Sequence, residues 1–134
     1  MIDIQCIDIE INNFGANAKW LENIINSENK ILGEIAFIFC RDEYLLDKNI
    51  KYLNHNTLTD VITFDYCIDD IISGDIFISI ERVKENSRIY EIPFLKELDR
   101  VMIHGLLHLL GYNDKEKNDS DRMTKKEDFY LNIK

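Results

Sequence analysis

The stretch FLKELDRVMIHGLLHLLG, residues 94–111, constrains the fold of this chain more than any other. In a helix, Leu98, Val101, Met102, Ile103, Leu106, Leu107, Leu109 and Leu110 cover most of the circumference, and a helix that is apolar nearly all round is stable only when buried. Its one polar stripe is Arg100, His104 and His108, spaced at i, i+4 and i+8 and so stacked on one face. On a buried helix such a stripe must meet a partner or a cleft, because an unpaired polar group away from water costs free energy. The pattern predicts a central helix that starts at or near Pro93 and ends at Gly111 in a left-handed cap.

The remaining segments read as a sheet and its covering helices. CIDIEI (6–11) alternates Ile7, Ile9 and Ile11, the period of a half-buried strand. NAKWLENIINSENK (17–30) sets Trp20, Leu21, Ile24 and Ile25 at helical spacing. EIAFIFC (34–40) is rich in strand-forming residues, and DEYLLDKNIKYL (42–53) reads as an amphipathic helix with Asp42 as N-cap. VITFDY (61–66) and IFISI (76–80) are strands that can form a hairpin, with Gly74–Asp75 turning the chain into the second. ERVKENSRIYE (81–91) and NDSDRMTKKEDFYL (118–131) are helical, the last capped by Asp119 or Ser120. The order β-α-β-α-β-β-α-α-α suggests one domain over 1–134, a mixed sheet of about four strands covered by helices.

Composition narrows the function. The formal net charge of −9 opposes indiscriminate binding to nucleic acid. The longest apolar run is far too short to cross a bilayer, so no membrane association is expected. MIDIQCIDIE has no basic start and carries Asp3 and Asp8, so no export signal is visible. Cys6, Cys40 and Cys67 form no C-x-x-C pair and read as buried thiols of a reducing compartment, the cytoplasm.

The chemistry is concentrated in HGLLHLLGYND, residues 104–114. Two histidines one helical turn apart can bind one metal ion, although such pairs also arise without metal. Beyond the stop at Gly111, Tyr112 and Asn113 turn the chain so that Asp114 can swing back to the same face. Two nitrogens and one carboxylate leave a coordination position open, the pattern of catalytic rather than structural zinc.

HGLLHLLGYND, TDVITF and SGDIFISI together resemble the YbeY family of bacterial endoribonucleases, metal-dependent RNases of ribosomal RNA maturation. The likeness runs from about Leu45 to Met123. The family motif H-G-x-L-H-L-x-G-Y-D-H is matched at His104, Gly105, Leu107, His108, Leu109, Gly111 and Tyr112. The resemblance implies an α+β fold with a mixed sheet, one zinc or another divalent transition metal per chain, and cleavage of single-stranded RNA. It further implies action at the 3′ end of small-subunit ribosomal RNA and in ribosome quality control. The partners it implies are ribosomal RNA and the small ribosomal subunit or an associated GTPase, with no role for DNA. Two positions depart from the pattern. Asp114 stands where the family has its third histidine, a change that zinc chemistry accommodates. Leu53 follows Tyr52 where the family has an Arg.

The candidate metal ligands are therefore His104, His108 and Asp114, and the candidate catalytic residues are His104, His108 and Arg82. Arg82 is chosen to replace the missing phosphate-binding cation, with Arg100 behind it. His55 is a further candidate ligand or acid, and Asp60 can orient a ligand histidine. Tyr52, Phe64, Tyr66 and Tyr112 are available to stack on bases, although Phe64 reads first as a core residue. The alternatives are a metallohydrolase of another class and a ribosome-associated RNA- or protein-binding factor with a structural metal. Gly105 stands where helix-borne zinc peptidases carry their Glu, and the carboxylate-and-two-His set of iron oxygenases sits usually on β scaffolds.

Overall fold

The computed structural model describes residues 1–11, 18–53 and 59–134. The elements are β1 (Ile2–Cys6), α1 (Ala18–Ser27), β2 (Ile31–Cys40), α2 (Asp42–Leu53), β3 (Val61–Asp65), β4 (Ile71–Ser79), α3 (Ile80–Ile89), α4 (Phe94–Leu109) and α5 (Lys117–Asn132). That is the element order expected from the pattern. The sheet runs β1-β2-β4-β3, with β1 and β4 parallel to β2 and β3 antiparallel to β4. It is the mixed four-stranded sheet of an α+β fold, and β3–β4 is the hairpin.

Strand alternation divides the core between the two faces of the sheet. Ile35, Phe37 and Phe39 of β2 and Ile76 and Ile78 of β4 join the larger core, which is closed by α1, α3, α4 and α5. The residues between them, Ile38, Cys40 and Phe77, join Ile62 of β3 and Leu45 of α2 in a smaller cluster on the other face. β3 is one of the two edge strands, with β1 at the other edge. Val61 of β3 packs against the larger core, whereas Ile62 and Phe64 face α2.

Four expectations are corrected. The first strand lies at Ile2–Cys6, upstream of the Ile7–Ile11 alternation. Its ladder ends where Ile7 N–H donates to Phe39 O (2.8 Å), and Asp8 then takes φ 55°, which turns the chain out of the sheet. Asp42 is the first residue of α2 rather than its cap, and its carboxylate accepts from Ser79 Oγ (2.7 Å) and Arg82 Nε. Helix α5 begins at Lys117 after Glu116, without a side-chain cap, so neither Asp119 nor Ser120 starts it. Of the three free cysteines only Cys40 is buried, and Cys6 is exposed.

The Gly74–Asp75 pair is also not a turn. Both residues lie inside β4, where Gly74 pairs with Asp65 and Asp75 with Phe64. Glycine is needed here for close approach: a Cβ on Gly74 would lie 2.5 Å from Phe64 O and 2.8 Å from Leu109 Cδ2. The site accordingly lets α4 sit down on the hairpin. Gly74→Ala is expected to destabilise the protein by about 1–3 kcal/mol through overpacking, measured as a lowered midpoint of urea unfolding.

Candidate metal centre

Helix α4 delivers two imidazoles, and the turn behind it delivers a carboxylate. Gly111 adopts φ 102°, its N–H donates to His108 O (3.1 Å), and Tyr112 N–H donates to Leu107 O (3.0 Å). This is the Schellman arrangement, which reverses the chain and satisfies the last carbonyls of the helix. The reversal carries Asp114 back to the His face. Its Oδ2 lies 3.2 Å from His104 Nε2 and 3.6 Å from His108 Nε2, and the two Nε2 atoms are 3.0 Å apart.

The far side of each ring fixes its tautomer. His104 Nδ1 is 2.7 Å from Glu127 Oε2, and His108 Nδ1 is 3.1 Å from the Tyr112 carbonyl oxygen. A carboxylate and a carbonyl can only accept, so in the neutral rings each Nδ1 carries the proton and each Nε2 presents a bare lone pair. In the neutral state three acceptor atoms thus converge with no donor between them, an arrangement that favours a positive charge at their centre. Tetrahedral ligands about 2.0–2.1 Å from a zinc ion are about 3.3–3.4 Å apart, a spacing that the observed 3.0, 3.2 and 3.6 Å bracket. These residues fit such an ion.

The demand for positive charge is visible in the titration of the pair. Burial opposes charge on His104, yet the hydrogen bond and charge of Glu127, with Asp114 and Asp60, hold its pKa above the ordinary value. His108 moves the other way, lowered by burial and by its neighbour His104 against the pull of Asp114.

An outer layer of residues positions the ligands. Arg100, the third member of the polar stripe, donates to Glu127 Oε1 (2.7 Å) and to Asp128 (2.6 Å). It thereby orients the carboxylate that holds His104. The Tyr112 hydroxyl donates to Glu28 (2.6 Å), which also receives Tyr130 Oη–H and Lys126 Nζ. Burial alone would raise the Glu28 pKa, but these three donors hold it below the usual value. The carbonyl of that same Tyr112 accepts from His108, so Glu28 fixes one ligand ring at one remove.

Two cavities share Asp60, Val61, His104 and Asp114 in their walls. The larger, about 630 Å³, adds Glu97, Arg100 and Glu127. The smaller, about 360 Å³, adds His108, Asn49, Leu53 and Thr63 and runs over the β3 edge of the sheet. Glu97 is almost fully buried, with one carboxylate oxygen lacking a hydrogen-bond partner. Burial and the nearby Asp60 and Glu127, opposed by Arg100, push its pKa up to about 7.

The structure brings His104, His108 and Asp114 together, with ligand atoms within 4.8 Å of one another. Leu53 does border the same cleft. Arg82 lines neither cavity, and its Nε is bonded to both Asp42 oxygens at 3.1 and 3.0 Å. Arg100 lines the larger cavity but is engaged by two carboxylates. His55 lies outside the described residues. Asp60 lines both cavities and accepts from Asn86 (3.3 Å), whereas the carboxylate on His104 is that of Glu127. Sequence reasoning missed Glu127, Glu97 and Glu28. The available signal was that Arg100 shares the stripe of the two histidines and requires an acidic partner.

Comparison with known proteins gives one family. A sequence model described as Endoribonuclease YbeY matches residues 2–133. An Endoribonuclease YbeY of Flavobacterium psychrophilum is 54% identical over 127 residues, covering 95% of this chain and 91% of that protein. Another, of Amoebophilus asiaticus, is 49% identical over 129 residues, covering 96% and 88% respectively. The solution structure of TM1509 from Thermotoga maritima superposes with a TM-score of 0.64 at 30% identity, over 98% of this chain and 87% of that one.

Two outcomes follow from the geometry. Glu127→Gln removes the charge that holds His104, and zinc affinity measured by chelator competition is expected to fall about 10–100-fold with the fold retained. Glu97 titrates near its ordinary 4.5 when unfolded and near about 7 when folded. The folded state therefore binds more protons between those values, and stability is lost as pH rises through that window. In metal-free protein, Glu97→Gln is expected to match the wild type near pH 4.5. It should exceed the wild type by on the order of 3 kcal/mol at pH 8, read from urea unfolding at both pH values.

Proposed function

The chain belongs to the YbeY family, and from that premise we propose that it is a metal-dependent endoribonuclease that cuts single-stranded RNA at His104, His108 and Asp114, with zinc as the metal. Its substrate is ribosomal RNA, at the 3′ end of the small-subunit RNA, and its place is ribosome maturation and quality control. The small ribosomal subunit or an associated GTPase is the partner in that work, which takes place in the cytoplasm. No helix of the described residues is long and apolar enough to cross a membrane.

The observation that carries this reading is the meeting of three acceptor atoms at the mouth of a cleft. Asp114 is partly exposed, with a side-chain exposure of 40%, so the site opens to solvent on its side. Structural zinc sites are closed by four protein ligands, whereas catalytic ones keep a position open. When bound, zinc lowers the pKa of a coordinated water and polarises a phosphoryl oxygen.

The protein's own part is charge and position. Among the described residues lining the cleft over β3, none is Lys or Arg. A cation held by His104, His108 and Asp114 would supply the charge that neutralises a phosphate there. Glu127 and the Tyr112 carbonyl keep both imidazoles turned with Nε2 towards that cation. A peptidase of the helix-borne type would need a Glu at position 105. There, even a Cβ would lie 2.6 Å from Ile76 Cγ2, because Gly105 is packed on β4.

The test is cleavage of a fluorescent single-stranded RNA by wild type, His108→Ala and Asp114→Ala. Wild type is expected to cut it with zinc present, to lose activity with chelator and to regain it when zinc is restored. Both variants should be inactive, and a duplex RNA or a DNA strand should remain intact. Cleavage that survives chelation and both substitutions would overturn the metal assignment, and bound zinc without any cleavage would favour a binding factor.

A further inference from the structure

On the opposite face of the sheet from α4, helix α2 and the hairpin enclose a cavity of about 240 Å³ lined by Lys48, Tyr52, Phe64, Tyr66, Asp75 and Phe77. Tyr52 meets Phe64 edge to face at 5.9 Å, and Phe64 meets Phe77 in the same way at 5.7 Å. Burial accounts for Phe77 but not for the tyrosines: Tyr52 is 63% and Tyr66 57% exposed. The Lys48 ammonium lies 4.7 Å from the Phe77 centroid and 5.0 Å from that of Tyr52. Among the described residues Lys48 forms no ion pair.

We propose that this cavity is a stacking subsite for an unpaired base of the RNA strand, whose backbone crosses the β3 edge of the sheet from the metal centre. The proposal rests on the endoribonuclease reading and adds to it a second place where the substrate is held.

Three observations support it. The first is continuity. Leu53 and Thr63 line the metal cleft, and their chain neighbours Tyr52 and Phe64 line the aromatic cavity. Since β3 is an edge strand of the sheet, one extended strand lying over that edge touches both. The second is chemistry. Grooves that hold single strands combine aromatic faces for bases with cations for the backbone, and Lys48 supplies a cation in a chain of net charge −9. Asp75 repels a phosphate but accepts from a base amino group or a ribose hydroxyl. It therefore favours base inward and phosphate outward.

The third is selectivity. A paired base is already stacked within its duplex, so a subsite of this kind prefers unpaired strands without reading their sequence. Of the four aromatics that the sequence offered for stacking, the structure gathers Tyr52, Phe64 and Tyr66 here. It sets Tyr112 apart, bonded to Glu28.

The experiment uses the full chain carrying His108→Ala, so that binding is read without cleavage, and a short fluorescent oligouridine followed by anisotropy. Adding Tyr52→Ala or Tyr66→Ala is expected to weaken binding about tenfold each, whereas Tyr→Phe at either position preserves it. Lys48→Gln should reduce the salt dependence of binding, which neither tyrosine change alters. In the active protein the same tyrosine changes should raise KM and leave kcat little changed. Parent-like binding by both alanine variants, or equal losses for Phe and Ala, would overturn the subsite. If RNA is cut normally by those variants, only the subsite falls. If the wild type binds RNA through the tyrosines without cutting it, the nuclease reading falls and the subsite stands.

Discussion

Everything at this site depends on how closely α4 can lie on the hairpin. Gly105 faces Ile76 across a gap too small for a methyl group, and Gly74 does the same beneath Leu109. With both contacts made, the apolar faces of α4 are buried and its one polar stripe is left at the rim, where His104 and His108 are 23% and 25% exposed. That is deep enough to exclude most water and shallow enough to admit a ligand. A longer side chain at either glycine would lift the helix and carry the imidazoles away from Asp60, Val61 and Thr63 on the opposite wall.

The second constraint is electrostatic. Asp60, Glu97, Asp114 and Glu127 surround the larger cavity with Arg100 as the one cation among its described lining residues. Arg100 is held by Glu127 and Asp128. A cleft so lined repels a phosphodiester until a cation neutralises it. In the proposed nuclease, the acidity that favours a metal ion would make phosphodiester binding conditional on that ion. The departure at Asp114 adds to this, since a carboxylate there carries charge that an imidazole would not.

Much of this could be read from the chain before any coordinates. Periodicity located α4, and the spacing of His104, His108 and Asp114 announced the cluster, because a helix followed by a glycine stop leaves few ways for the chain to return. What failed had physical causes. Ile2 and Ile4 alternate as well as Ile7 to Ile11 do, and the end of β1 is set by the backbone at Asp8, which side-chain pattern does not record. Gly74–Asp75 has the composition of a turn, yet its glycine answers a packing contact between elements distant in sequence. Glu127 sits far along the chain from His104, in a helix with other acidic residues, and only the docking of α5 on α4 singles it out. Arg82 was chosen for its place after a strand, and its bond to Asp42 at the start of α2 is a contact between distant segments that no local pattern records.

Glu28 shows where the metal centre ends as a structural unit. It stands just after α1 and binds side chains of Tyr112, Lys126 and Tyr130, so the turn that presents Asp114 is anchored to a helix from the opposite end of the chain. The HGLLHLLGYND segment is therefore not a portable motif. Transplanted as a helix and turn into another scaffold, it would keep its histidine spacing but lose the anchor of its turn and the carboxylate behind His104. The geometry of His104, His108 and Asp114 belongs to the whole fold, and loosening α1 or α5 at a distance would loosen it.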